Sequence, residues 1–553
     1  MKLLDKYKIM CDGVPAEVDI VRSETEFVDT YELKQIKLHK ATEAALKQLR
    51  ERIVEEVGLR TPEMLDTKAF DSVKNKFIEK SNELVKSQMA EISDETRKIL
   101  VGKLTHDLIG LGDLELILAD NYLEDICINS AKEPMWVYHQ KHGWLKTNFL
   151  FESEEQIANY ASIVARRVGR QISNLQPLLD AHLESGERVN AMLFPISNKG
   201  HSMTIRKFAK NPWTITKLLT PEMRLMSTDV AALLWLCMQY EMNVIVGGGT
   251  ASGKTSILNA ILLFTPPNQR VISIEDTREI LLPEYLQWTP MVTRLPNPEG
   301  KGEVTMLDLM VNSLRMRPDR IIVGEIRRQK EAEVLFEAMH TGHSVYATLH
   351  ADNADQVKNR MTTPPINLPE NMLEAVHIIL VQYRQRRTGV RRTFEVAEVV
   401  GRGGKYADVN VVYRWNAKQD TLEKVGQYKR ITEEILSYSG MSEREMEGDL
   451  AEKRAIIEYM MKNSIFTIND AGRIVALYYR DREKVLEMIG GKVKPGELLK
   501  KAPAPDVSGE SKKEFEEEGG EKGAPQEDEK LDLEWKEQLN RLSSLIKREK
   551  KKD

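Results

Sequence analysis

The sequence predicts an α/β chain whose core is a mostly parallel sheet, and three observations carry that prediction. From about residue 215 to 415, the short apolar runs Val244 to Val246, Val271 to Ile274, Ile321 to Val323 and Val345 to Leu349 alternate with helical stretches, as strands joined by crossover helices do. Behind the first run comes Gly248-Gly-Thr-Ala-Ser-Gly-Lys-Thr255, followed by an apolar helix start, Ile257 to Leu263. Two more runs end in carboxylates, at Glu275-Asp276 and at Gly324-Glu325.

The glycine-rich stretch has the order strand, loop, helix around G-x-x-x-x-G-K-T. Glycines let successive N–H groups bend into one concavity around a polyphosphate. Gly248, Gly249, Thr250, Ala251, Ser252, Gly253, Lys254, Thr255 and Ser256 are the expected phosphate-binding residues. Lys254 can reach the terminal phosphates, the Thr255 hydroxyl can bind magnesium, and the helix adds its positive dipole end. ATP with magnesium is the implied pair.

Such a loop needs carboxylates nearby to hold magnesium and orient a water. Glu275 and Asp276 emerge at the carboxyl end of a strand, where open α/β sheets bind ligands. The strand Ile321 to Val323 ends like a Walker B element in which Gly324 replaces the usual aspartate. Glu325 is the expected general base or water-orienting group. Glu275 is its rival, and also an expected magnesium partner beside Thr255. His343 and His350 bracket the next strand-like run and read as sensors of the γ-phosphate or a relay across a subunit boundary. No H-E-x-x-H or cysteine partner accompanies them, which argues against zinc.

Residues 1–105 read as a helical leading region, with Leu46, Leu49, Ile53 and Val57 at helical spacing. Residues 106–210 read as an α+β domain, with a helix from Ser153 to Val168 and strands near Asp125 to Asn129, Met135 to Tyr138 and Arg188 to Phe194. A linker at 211–220 leads to the core at 221–430. Residues 431–495 read as helices, clearest at Ala451 to Met461 and Ile468 to Ile489. Residues 496–530 are rich in Lys, Glu, Gly and Pro, and read as a disordered linker. Residues 531–553 read as an amphipathic tail helix with Leu531, Trp535, Leu539, Leu542 and Ile546 on one face, a candidate docking element. The basic cluster Arg384 to Arg392 reads as a solvated hairpin between two strands, or else a contact for acidic lipid or a partner.

At 553 residues the chain holds several domains. A net charge of −5 gives no global nucleic-acid footprint. Cys11, Cys127 and Cys237 form no pair pattern, which argues against a disulfide framework and a cysteine-built zinc site. No run of about 18 apolar residues is present, and the first ten residues lack a signal-peptide core, so a cytoplasmic protein is expected.

Taken together, the loop, IEDTRE at Ile274 to Glu279, MRPDRIIVGEIR at Met316 to Arg327 and TGHSVYATLHA at Thr341 to Ala351 resemble the Walker A, Asp box, Walker B and His box of the type II/type IV secretion ATPases. The resemblance extends upstream to Leu179 to Ala191 and Ser202 to Phe208, and covers roughly residues 100 to 490. It implies a RecA-like P-loop ATPase core behind a PAS-like amino-terminal α+β domain. It implies that Arg188 and Arg206 are set against nucleotide phosphates, where guanidinium groups neutralise developing charge. It also implies a homo-oligomer, by resemblance a hexamer, peripheral on the inner face of the cell membrane. The partners implied are a polytopic membrane platform protein and, through it, pilin-like subunits, with no nucleic acid. The carboxy-terminal helices and the lack of a four-cysteine zinc module are similar to the archaeal branch, which moves pili, archaella or secreted cargo. A conjugation-type nucleic-acid translocase and a nucleotide-binding scaffold without turnover are the competing readings.

Overall fold

Alternation of period two starts the chain. Val14, Ala16 and Val18 are buried and alternate with the half-buried Pro15 and Glu17 along one strand. The computed structural model describes residues 1–491 apart from 37, 58–66, 90–91, 184–185, 208–211, 298 and 403–405. Strands β1 (Lys2–Cys11) and β2 (Val14–Arg22) form a hairpin through Asp12 and Gly13, both at positive φ (45° and 83°), the two-residue turn that suits twisted strands. Strand β3 (Thr30–Gln35) completes the meander. The expectation of a helical leading region over 1–105 is therefore corrected. Its first third is sheet, and only α1 (Lys40–Val57), α2 (Thr67–Gln88) and α3 (Asp94–Leu108) are helical. These three share a small core that includes Leu49, Ile53, Phe77, Val85 and Leu104.

The meander joins the next module directly. After α4 (Leu114–Ala119) come β4 (Leu123–Ile128), β5 (Trp136–His139), β6 (Gly143–Thr147), α5 (Glu154–Arg167), β7 (Leu178–His182), β8 (Arg188–Met192) and β9 (Ser202–Arg206). Pairing of β3 with β6 yields one nine-stranded sheet, ordered β1-β2-β3-β6-β5-β4-β9-β8-β7. Two tyrosines of the meander, Tyr7 and Tyr31, each donate a 2.8 Å hydrogen bond to the buried Asp120 carboxylate just before β4. Helix α5 covers the sheet with Ile157, Ala161, Val164 and Ala165.

The second sheet follows α6 (Ile215–Leu218) and α7 (Thr228–Gln239). Its elements in chain order are β10 (Val244–Gly248), α8 (Lys254–Leu262), β11 (Arg270–Glu275), β12 (Gln287–Val292), α9 (Met306–Ser313), β13 (Arg320–Val323), α10 (Gln329–His340), β14 (Ser344–Leu349), α11 (Ala354–Thr362), β15 (Ile378–Arg384), β16 (Arg391–Arg402), β17 (Tyr406–Asn416) and β18 (Thr421–Lys424). The order is β12-β11-β13-β14-β10-β15-β16-β17-β18. The first six are parallel, and an antiparallel extension is added at one side. This is the RecA-like α/β core. Its central strands are buried on both faces and read as largely apolar runs without alternation for that reason.

Helices α12 (Arg430–Ser439), α13 (Glu443–Lys462), α14 (Ile468–Arg480) and α15 (Arg482–Ile489) complete the described residues. The expected run Ile468 to Ile489 is two helices, parted at Asp481, which caps the second by accepting from Lys484 N. This group clasps the core through Lys453, which is 0% exposed, paired with Asp449 and set over the rings of Trp235 and Tyr478 at 5.8 and 5.0 Å. No described helix is long and apolar enough to cross a membrane. The expected charged linker and tail helix, 496–530 and 531–553, lie outside the described residues.

Candidate functional site

Strand β10 delivers the glycine-rich loop to the carboxyl edge of the sheet, where its neighbours β14 and β15 also end. Gly248 sits at φ 155°, and a Cβ there would meet Ser252 Oγ and, at 2.7 Å, the Gln382 carbonyl oxygen. Gly253 sits at φ 94°, and Ala251 at φ 58° in the left-handed region, a conformation that costs a non-glycine residue roughly 1–2 kcal/mol. Helix α8 starts at Lys254 with Gly253 as its cap and no side-chain hydrogen bond there. Its first-turn N–H groups and its dipole are thus directed to an anion in the loop. A polyphosphate fits this cradle. Oxygen donors at the same edge, Thr255, Asp276 and Glu325, suit a hard cation such as magnesium.

Strand order brings the remaining groups together. Glu325 follows β13, His350 follows β14, and Lys254 follows β10; these three strands are neighbours in that sequence. The side chains meet in the same sequence. Glu325 Oε1 lies 3.0 Å from His350 Nε2, and His350 Nδ1 lies 3.4 Å from Lys254 Nζ. Lys254 also donates to the Gly249 carbonyl at 3.0 Å. The other Glu325 oxygen accepts from Arg327, whose Nε is 2.8 Å away, and Arg327 spans to Asp276 at the end of β11. Asp276 in turn accepts from Thr293 at 3.2 Å. One polar chain therefore crosses four adjacent strand ends, from Asp276 through Arg327, Glu325 and His350 to Lys254. Burial lowers the Lys254 pKa, against the pull of Glu325, Glu279 and Asp352. Burial and then the Lys254 charge hold His350 below the ordinary imidazole value, with Glu325 opposing them.

Glu275 is separate from this chain. It is 2% exposed, its Oε1 accepts from Glu279 N and Ile280 N at 2.8 and 3.0 Å, and its Oε2 is unpartnered. Burial pushes its carboxyl up to about 7, only partly offset by those two N–H groups. Glu275 folds the loop behind it, and among the described residues no hydrogen bond joins it to Thr255 or Lys254. Gly324 stands beside it, and a Cβ on that glycine would be 3.6 Å from Glu275 Cγ. At that distance a side chain at 324 would be in ordinary van der Waals contact with the buried Glu275.

His343 does not join the loop. It lies at the amino end of β14, bonded to Ala338 O at 3.2 Å and Thr341 Oγ1 at 3.1 Å. Six residues of strand separate it from His350, about 20 Å at the usual rise. Of the two expected roles, sensing of the γ-phosphate or a relay across a subunit boundary, the first suits only His350 within one chain, because a strand has two ends and the loop is at one of them.

The amino-terminal sheet lines up a single cross-strand row: His182, Arg188, Arg206, Asp125, Tyr138 and Trp144 are successive register partners across β7, β8, β9, β4, β5 and β6. The row reaches the second module at two points, at its His182 end and at Tyr138. His182 Nε2 lies 3.2 Å from Thr277 Oγ1, next to Asp276, and Arg384 donates to Tyr138 Oη at 2.9 Å. The expected arginines, Arg188 and Arg206, sit directly opposite each other, and each has its own carboxylate. Arg188 binds Asp180 at 2.7 and 3.1 Å, and Arg206 binds Asp125 at 3.1 Å. Arg188 also feels the charges of Asp276 and Arg327. Sequence reasoning passed over His182, although it lies inside the quoted Leu179 to Ala191 stretch. Arg327, at the end of the quoted Met316 to Arg327 stretch, is bound within the chain to Glu325 and Asp276.

Comparison with known proteins follows the same residues. Residues 124–397, from β4 into β16, match the family described as Type II/IV secretion system protein. MJ0900, an uncharacterized protein of Methanocaldococcus jannaschii, is 38% identical over 408 residues, 72% of this chain and 72% of that one. A Mycobacterium tuberculosis protein named for conjugal transfer is 31% identical over 328 residues, 57% of this chain and 90% of that one. Among solved structures, the ATPase DotB of Legionella pneumophila matches at 18% identity and a TM-score of 0.37, covering 68% of this chain and 93% of that one. With the loop, both strand-end carboxylates and the arginine row all inside the matched span, the chain belongs to the type II/IV secretion system protein family.

Proposed function

We propose that this chain is an ATP-hydrolysing motor that drives assembly of a type IV pilus-like, archaellum or type II secretion filament from the cytoplasmic face of the membrane. The polar chain from Lys254 through His350 to Glu325 and Arg327 carries the reading, because it links the phosphate-binding lysine to a strand-end carboxylate one residue after the Walker B position. Lys254 and the first N–H groups of α8 bind the polyphosphate. Magnesium, when bound with the nucleotide, neutralises phosphate charge, and Thr255 is the residue that would hold it. Glu325 orients and deprotonates the attacking water once His350 and Arg327 shift toward the phosphates. Arg188, beside Asp276, supplies positive charge from the amino-terminal sheet as the two modules close. Closure repeated around a ring of identical subunits, six by family resemblance, would pull on a polytopic membrane protein and through it on pilin-like subunits.

Magnesium-dependent phosphate release by the purified full chain tests the reading. Lys254→Ala should abolish turnover, and Glu325→Gln should bind ATP without hydrolysing it. Normal turnover by the Glu325→Gln protein would remove Glu325 from the chemistry.

The relative named for conjugal transfer favours a second reading, a nucleic-acid translocase on the same core. The net charge of −5 weighs against it. Crosslinking Glu325→Gln protein in its native cells separates the two. A polytopic membrane protein recovered with pilin-like subunits supports the filament motor, and DNA with salt-sensitive stimulation of hydrolysis supports the translocase.

A further inference from the structure

The basic cluster expected as a solvated hairpin is indeed a hairpin, between β15 and β16, but it stands at the phosphate edge. Gln382 of β15 pairs with Gly248 of β10, so the hairpin arises beside the glycine-rich loop. Its arginines divide by what they touch. Arg392 is fully committed, forked onto Asp420 at 2.6 and 2.7 Å and bonded to the Met223 carbonyl at 2.9 Å. Arg384 is tied to Tyr138. Arg391 instead leans across the loop. Its Nε donates to the Ala251 carbonyl at 3.1 Å, and its Cδ runs 3.6 Å from where a Cβ on Gly253 would stand. Among the described residues neither Nη group of Arg391 makes a hydrogen bond.

The Arg391 charge also acts on Glu124 of the amino-terminal sheet. Glu124 is the extra residue of a bulge in β4, between Leu123 and Asp125. Bulges re-aim side chains. Burial raises the Glu124 pKa, and Arg391 leads the positive charges that oppose the rise, ahead of Arg384 and Arg206.

We propose that Arg391 is a nucleotide-binding residue that reports occupancy of the loop to the amino-terminal sheet. Its Nε stays on the Ala251 carbonyl, its two Nη groups take phosphate oxygens of a nucleoside di- or triphosphate, and Glu124 gives up its counter-charge when they do. A guanidinium suits this because its fork serves a backbone carbonyl and an anion at once, which an ammonium cannot. The proposal rests on the reading that residues 248–255 hold a polyphosphate.

Calorimetric titration of the full chain with magnesium ADP tests it, using Arg391→Ala, Arg391→Lys, Glu124→Gln and Lys254→Ala. Arg391→Ala should weaken ADP binding about tenfold, as expected for one charge-assisted contact, with lysine restoring part of the loss. Glu124→Gln should tighten binding in the parent chain and have no effect in the Arg391→Ala background. Parent-like ADP affinity in Arg391→Ala, or a Glu124→Gln effect that persists without Arg391, overturns the proposal. If Arg391→Ala melts early without nucleotide, Arg391→Lys decides in its place: ADP affinity below the parent's supports the proposal, and parent-like affinity overturns it. Parent-like affinity in Lys254→Ala overturns the loop reading itself, which is a separate result.

Discussion

Glu325 and His350 meet at 3.0 Å because their strands are neighbours: β13 and β14 run parallel, in register, and end at the same edge. The imidazole thereby occupies the step between a carboxylate and the Lys254 ammonium. Its ionisation sets how many positive charges that step holds. Since folding holds His350 below its ordinary value near 6.5, the unfolded chain takes up that proton first as pH falls. The associated stability is present above about pH 6.5 and is lost below it. His182 and His139 are lowered in the same direction, so the difference between proteins is the informative quantity. His350→Asn should lose melting temperature less steeply than the parent between pH 7 and 5; parallel melting curves would remove His350 as a contributor.

Glu275 predicts the opposite sign. Its folded value of about 7 lies above the ordinary 4.5, so the folded chain holds the proton more tightly, and the advantage disappears as pH rises through 7. Glu275→Gln keeps an acceptor for Glu279 N and Ile280 N and removes the buried charge. It should melt higher than the parent at pH 8, by an amount on the order of 3 kcal/mol, and the gap should close toward pH 5. A constant gap at all pH values would show that packing and not charge separates them.

Gly248→Ala tests the loop by shape alone. The new methyl would overlap Ser252 Oγ and sit 2.7 Å from the Gln382 carbonyl. Destabilisation of about 1–3 kcal/mol is expected, together with loss of ATP binding. Retained affinity measured by titration would mean that the loop has another arrangement.

Lys453 is buried against Asp449, so removing it strands a carboxylate that keeps only Tyr478 Oη, at 2.8 Å. Lys453→Met should cost about 3–5 kcal/mol in chemical denaturation. Lys453→Met with Asp449→Leu should recover much of that, since an apolar pair replaces the ion pair. An additive double variant would show that the two charges do not act as a pair.

The core and its loop were legible because their signals are local. Gly248 to Thr255 is contiguous, and Glu275 and Glu325 each end an apolar run that marks its own strand. The basic run Arg384 to Arg392 was legible as a hairpin for the same reason. The cross-strand row was not, because the opposition of Arg188 and Arg206, or of Asp125 and Tyr138, depends on register between distant segments. Arg327 looked like one of several arginines until strand order set Asp276 and Glu325 on either side of it. His343 and His350 looked equivalent because sequence spacing does not say which end of a strand faces a ligand. The meander at residues 2–35 carried its own period-two pattern and an Asp-Gly turn, but helix-spaced leucines just downstream outweighed them.

The three leading strands decide how this molecule can be dissected. A fragment cut at residue 106, where the sequence invites a boundary, would strip β1, β2 and β3 from the nine-stranded sheet and take both tyrosines off Asp120. The same cut would bare the edge of β6, ready to pair with another chain. The smallest fragment that keeps all nine strands of this sheet begins no later than Lys2, and shorter ones are poor material for judging what the parallel-sheet module does by itself.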